Sequence, residues 1–155
     1  ILYAVLLAIT AYVFVEVPWI AFYGERYYIG SLETVPVKIS SSGWDMTWFF
    51  MELWRSYNVR PPMFIAYFIG LLLAVTTLVA RSSIISAISG LAMLIGWYDF
   101  YTSAATIHKL YVQLIGVIGL INIKSAELEI GVTIAGLLAI LHLTVGTYLV
   151  HKAAD

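Results

Sequence analysis

The stretch PMFIAYFIGLLLAVTTLVARSSIISAISGLAMLIGWY, Pro62 to Tyr98, decides the fold. Its single charge is Arg81, and Arg81-Ser82-Ser83 is the one break between two apolar runs. A helix needs about 20 mostly apolar residues to cross the hydrocarbon core of a bilayer, ~30 Å thick. Both runs approach that length, and so short a link makes them antiparallel neighbours. Pro61-Pro62 stands at the head of the first run, where a missing N–H costs a helix least. The pattern predicts one span over residues 62–80 and another over 84–105.

Two further runs lie outward of this hairpin. Ile1 to Tyr23 is apolar, with Glu16 and Pro18 toward its end, and predicts a span over about 1–20. It reads as a true span and not a targeting segment, because a cleaved secretory signal takes its own apolar core with it. Ile130 to Val150 predicts the last span, ahead of the polar tail His151-Lys152-Ala153-Ala154-Asp155. The connections are a long loop over 24–61 and a second loop over 106–129. Within the second, Tyr111 to Ile123 is apolar, but as a helix it reaches only ~20 Å. Gly116 and Gly119 weaken a helix there, so an external segment at the membrane surface is expected, with a fifth span as the competing reading.

Composition agrees with this pattern. Of 155 residues, 62% are hydrophobic and 11% charged, with a mean hydropathy of +0.94. A soluble domain has about 45–50% apolar and about 25% charged residues, so this chain cannot cover a water-facing surface. A soluble enzyme, a disordered chain and a nucleic-acid binder are excluded. Eight Lys and Arg against nine Asp and Glu give a net charge of −1, with no basic patch. The absence of Cys excludes disulfides, thiolate metal sites and thiol catalysis. Asn occurs only at 58 and 122 and Gln only at 113, a depletion typical of thermophiles that points to a thermophilic archaeal source.

The first loop has strand character. Val35, Val37 and Ile39 alternate with Thr34, Pro36, Lys38 and Ser40, and Tyr27-Tyr28-Ile29 precedes Gly30-Ser31, which predicts a small hairpin with Pro36 on an edge strand. The segment from Gly43 to Trp54 is aromatic; as a helix it puts Trp44, Trp48 and Met51 on one face, with Trp54 nearby. Trp and Tyr concentrate at headgroup level. Trp19, Trp44, Trp48, Leu53 and Trp54 are therefore expected to form an interfacial anchor, or alternatively a platform for a sugar or lipid.

Three other groups of residues bear on function. Small residues recur at four-residue spacing: Ala66, Gly70 and Ala74; Ser86 and Gly90; Ala92 and Gly96; Gly131, Ala135 and Ala139. Such rows let helix backbones approach closely in lipid, within one bundle or between protomers. Glu16 and Asp99 fall near the loop-side ends of their spans, where Arg60 or Lys109 can pair with them as a salt-bridge lock. A proton or ion pathway is the alternative, since intramembrane ionisable groups are often functional. His142 lies inside the last span and His108 at the loop-side end of the third. At 1.5 Å per residue they differ in depth by ~18 Å, so they do not bracket one haem iron. No Glu-x-x-His or His-x-x-x-His spacing, retinal lysine, phosphate loop or Ser-His-Asp order is present. No cofactor and no metal is expected.

The order of elements resembles the claudin-like tetraspan superfamily: one span, a long strand-bearing loop, a tight hairpin of spans, a second loop and a last span. Trp19 follows the first span, Glu52-Leu53-Trp54 stands where that family has Gly-Leu-Trp, and Arg60 precedes the second span; the family's Gly and two Cys are absent. The resemblance implies a small extracellular sheet, formed mostly by the first loop and completed by the second, and a non-enzymatic protein that associates laterally.

The expected fold is a single all-α transmembrane domain over 1–155, a four-helix bundle with a small β-containing cap. The expected partners are the lipid bilayer and a second copy or other membrane subunits, with no nucleic acid. Six of the eight Lys and Arg fall on the loop side, but long loops follow the positive-inside rule poorly. The preferred orientation is in the cell membrane with both large loops outside. The expected function is structural or accessory. The alternatives are a membrane subunit of a redox or transport enzyme, with Glu16, Asp99 and His142 at a quinone, proton or ion site, and a virion or filament membrane protein.

Overall fold

The computed structural model describes residues 1–28, 30, 32–58, 62–117 and 121–154, with the backbone alone for 113–117. Arg60, expected at the bundle mouth, lies outside the described residues.

The chain is mostly helical, with one small sheet. Helix α1 (Leu2–Glu16) leads into strand β1 (Pro18–Tyr27), strand β2 (Thr34–Ser42) and helix α2 (Gly43–Tyr57). A 3₁₀ turn (Met63–Ile65) opens helix α3 (Ala66–Ala80), which is followed by α4 (Ser83–Thr102), α5 (Ala104–Val117), β3 (Ile121–Leu128) and α6 (Ile130–Ala154). Among the described residues three helices are long and apolar enough to cross a membrane: Met63–Ala80, Ser83–Thr102 and Ile130–Ala154. Helix α1 is apolar but has only 15 residues.

The first span is therefore shorter than the expected 1–20. Pro18 pushes the residue before it out of the helical region, and Val17 is extended, with φ −90° and ψ 129°. Trp19 and Ile20 consequently begin β1. The hairpin of α3 and α4 turns at Arg81, whose φ of 50° is left-handed, and at Ser82, whose hydroxyl accepts from the Ile85 N–H at 3.4 Å. Helix α4 is central: it packs closely against both α3 and α6, while α1 lies more lightly on α3 and α6.

The sheet has the order β2-β1-β3, with both pairings antiparallel. Strand β2 runs from Thr34 opposite Tyr27 to Ser42 opposite Pro18, and Pro36 sits on this edge strand. Ser42 ends β2 and caps α2: its hydroxyl accepts from the Asp45 N–H at 3.2 Å, and the Asp45 carboxylate accepts from the Ser42 N–H at 2.9 Å. This reciprocal box satisfies two N–H groups that a helix start leaves unpaired.

The second loop differs most from expectation. The described residues of 106–129 are mostly helix and strand, not loop, and the third span stops at Thr102 instead of 105. Helix α5 restarts at Ala104 and buries Ile107 and Tyr111, one turn apart, against the cap. The Tyr111 ring stacks on Phe22 of β1 with centroids 3.9 Å apart. The apolar character of Tyr111 to Ile123 thus divides between this cap helix and β3, which supplies the third strand.

Trp19 joins cap to bundle. It is fully buried, edge-on to Phe14, Tyr67 and Phe100 at centroid distances of 5.8, 5.0 and 5.3 Å. Its indole N–H donates to the Val13 carbonyl at 3.2 Å, one of the carbonyls left unpaired near a helix C-terminus. Replacing Trp19 by Ala is expected to lower stability in detergent by about 3–5 kcal/mol. Trp19→Phe, which keeps a ring but no donor, should cost less. Equal melting temperatures for wild type and Trp19→Ala would show that the cap does not depend on this side chain.

Candidate functional site

The expected lock at the bundle mouth does not form among the described residues. Glu16 is exposed, and no ion pair holds it there; Lys109 is likewise exposed. Asp99 is half-buried and accepts a hydrogen bond from the Phe64 N–H at 2.8 Å. It caps the 3₁₀ turn that opens α3, whose first N–H groups have no partner within their own helix. The ion pairs lie in the cap instead: Lys38 with Glu129 at 3.4 Å, Lys124 with Glu25 at 3.0 Å, and Arg55 with Glu52 at 3.6 Å. The hydrogen bond to Glu129 raises the Lys38 ammonium above its ordinary 10.5. That pair therefore contributes below that pH, and its contribution is lost as pH climbs through the raised value. Burial raises the Tyr111 phenol, and the charge of Asp45 adds to the shift.

The small-residue rows are used inside the bundle. Ala74, Ser86, Ala135 and Ala139 have no exposed surface, and Ala66 and Ala92 are half-buried. A Cβ on Gly90 would collide with the Leu143 backbone of α6, one on Gly96 with the Tyr67 backbone of α3, and one on Gly131 with the Pro18 carbonyl. A Cβ on Gly70 would meet the Met93 side chain at 2.6 Å. The glycines of these rows set the spacing of α3, α4 and α6.

The aromatic group divides in two. Trp19 and Leu53 are buried, and Leu53 faces inward from α2 with Met46 and Phe50. They are core residues, not an interfacial anchor. Trp44, Trp48 and Trp54 lie on the outer face of α2, 37%, 62% and 51% exposed. Trp48 and Trp54 line a shallow apolar hollow of about 380 Å³ with Met51. Trp44 stacks on Trp48 at 6.1 Å and meets Phe68 of α3 edge-on at 5.4 Å. Trp44 and Phe68 also line a groove of about 430 Å³ between α1 and α3, floored by Ala4, Leu7, Ala8 and Leu71. The α1–α3 groove thus connects through Phe68 and Trp44 to Trp48 on α2, and the hollow beyond is lined by Met51 and Trp54 together with the Glu52–Arg55 ion pair.

One buried polar cluster was visible in the sequence only as His142. Thr10 Oγ1 donates to the Leu6 carbonyl at 2.7 Å and lies 2.8 Å from His142 Nε2. With its proton committed to Leu6, Thr10 can only accept, which puts the imidazole proton on Nε2 and leaves Nδ1 bare. That nitrogen is buried with no partner. Tyr3 stands edge-on to the ring at 5.6 Å, and its hydroxyl lies 3.4 Å from Ser89. His108 is far along the chain in α5, so the two histidines belong to separate parts of the fold. Thr10, the single Ser or Thr in the first apolar run, was the available signal.

No family model, no curated protein and no solved structure matches the chain. Among the described residues no three His, Asp or Glu side chains gather as a metal site.

Two predictions follow from this geometry. Gly70→Leu and Gly90→Leu are expected to cost at least ~1–3 kcal/mol through overpacking, read as a lower melting temperature; altered oligomer size at an unchanged melting temperature would instead put these faces between protomers. Asp99→Ala should cost about 1–3 kcal/mol by stranding the Phe64 N–H, while Asp99→Asn, which keeps an acceptor oxygen, recovers most of it. Equal losses in the two variants would contradict the capping role.

Proposed function

We propose that this chain is a four-span membrane protein of claudin-like architecture, structural or accessory in role, that associates laterally with copies of itself or with other membrane subunits. The observation that carries the reading is the row of exposed aromatics Trp44, Trp48 and Trp54 on α2, which joins the α1–α3 groove at Phe68 and is bordered by the Glu52–Arg55 ion pair. Contiguous exposed apolar patches mark interaction surfaces; here the lower part faces lipid and the upper part lies at headgroup level. Strand β3 supports the claudin-like likeness, because the second loop completes a sheet begun by the first. Helix α1 serves as the fourth span, with Leu7, Thr10, Val13 and Phe14 buried along its length. The membrane is the cell membrane, with the cap outside.

A second reading, a membrane subunit of a redox or transport enzyme, draws on the buried pair Thr10–His142. Glu16 and Asp99 both lie at the cap ends of their helices, apart from that pair, so the first reading is preferred. A virion or filament protein shares the assembly logic of the first.

Native mass spectrometry of protein gently extracted from its own membranes tests this. A colourless homo-oligomer is expected. The double variant Trp48→Ala, Trp54→Ala should fall to smaller species, with stability changed by no more than about 0.5 kcal/mol because both rings are exposed. Haem, quinone or catalytic subunits in the complex would overturn the structural reading in favour of the second.

A further inference from the structure

The end of the bundle away from the cap holds a cavity of about 580 Å³, lined by Arg81, Ser82 and Ser83 from the α3–α4 turn and by Lys152 and Leu149 from α6. Every described Asp and Glu sits in the cap or at the cap end of its helix. Among the described residues Arg81 and Lys152 make no ion pair, as is also true of Arg26 and Lys109. The N-terminus of α4 at Ser83 opens onto the same place, beside the C-terminal turns of α3 and α6, whose carbonyl ends Arg81 and Lys152 flank. Tyr3 and Leu149 line this cavity and also a neighbouring one of about 600 Å³ between α1 and α6, walled by Leu6, Val145 and Tyr148. A cationic, hydroxyl-bearing cavity therefore adjoins an apolar groove along the side of the bundle.

We propose that this is a binding site for an anionic membrane lipid, with its phosphate between Arg81 and Lys152 and a tail in the α1–α6 groove. The shared chemistry is phosphate recognition by a guanidinium, an ammonium and a helix start. The adjoining apolar groove favours a lipid over a free phosphate, which has no use for it. Basic pockets between transmembrane helices bind anionic headgroups in this manner. The site goes beyond the assembly reading and lies at the opposite end of the bundle from the aromatic face.

The test is native mass spectrometry of the full chain in detergent, titrated separately with phosphatidylglycerol, phosphatidylcholine and inorganic phosphate. Retention of one phosphatidylglycerol per chain is expected, with phosphatidylcholine and inorganic phosphate bound far more weakly. Removing either cation should weaken retention about fivefold. Arg81→Gly is the decisive variant, because glycine adopts the φ of 50° at this turn without strain, so lost binding there is not lost folding. Lys152→Gln removes the second charge, and Lys109→Gln in the cap is the control of equal charge change. Phosphatidylglycerol bound equally by wild type, Arg81→Gly and Lys152→Gln would overturn the site, and inorganic phosphate bound as tightly as phosphatidylglycerol would overturn the lipid. Lipid retention is read separately from oligomer size, so either proposal can fail without the other.

Discussion

The burial of Trp19 is the constraint on which the other parts depend. Pro18 stops α1 and turns the chain into a strand, and the next residue carries the largest side chain in the sequence. Its indole N–H takes a carbonyl that the end of α1 leaves unpaired, and its ring fills the space between Phe14, Tyr67 and Phe100. Its own carbonyl accepts from the Glu129 N–H at 2.8 Å, just before α6 begins. One residue thus ends the first helix, seats the sheet on the bundle and sets where the last helix starts. A surface Trp at headgroup level does none of this, and so Trp19 differs in kind from Trp48 and Trp54.

The small residues impose a second constraint. In lipid, apolar side chains gain nothing by leaving the solvent, and close backbone packing supplies the helix–helix attraction. Gly90 against Leu143 and Gly96 against Tyr67 are contacts of that kind, and both lie inside the chain. Tyr67 and Trp97 add donors to the Ala135 and Val132 carbonyls at 3.0 and 2.7 Å, which ties α3 and α4 to α6. The glycines of these rows are used internally, whereas Ala4 and Ala8 of α1 stay exposed along the α1–α3 groove.

The apolar runs and the tight turn at Arg81 were legible because the membrane demands long uninterrupted hydrophobicity, a strong one-dimensional signal. The β1–β2 hairpin was legible from the alternation at Val35, Val37 and Ile39. Helix α5 was not, because Gly116 and Gly119 argued against a helix, which forms by burying Ile107 and Tyr111, with Leu110 and Val112 packed beside them. The partner of Asp99 was also hidden. A carboxylate in a sequence suggests a cation, but the nearest unsatisfied donor in space was the Phe64 N–H, and backbone groups leave no trace in composition. The division of the aromatics into core and surface depended likewise on which face of α2 meets the sheet. The capping box at Ser42 settles that orientation.

The length of α1 bears on the proposed four-span reading. Its 15 residues rise ~22 Å, less than a ~30 Å hydrocarbon core. The same thickness recurs on its neighbours. From Ser83 at one end of α4 to Tyr98 near the other the rise is also ~22 Å, and Tyr98 is the first exposed aromatic of a pair completed by Tyr101. On α3 the apolar stretch from Met63 to Ala80 spans ~26 Å. Helix α6 is longer, with an apolar run from Ile130 to Val150 that rises ~30 Å, so the short apolar stretch lies on the α1 side, and a bilayer thins beside such a stretch at fractions of a kcal/mol per ångström. In a bilayer thinned beside α1 the proposed fourth span is long enough, and the α2 aromatics and the Arg81–Lys152 cavity stand toward opposite ends of the bundle.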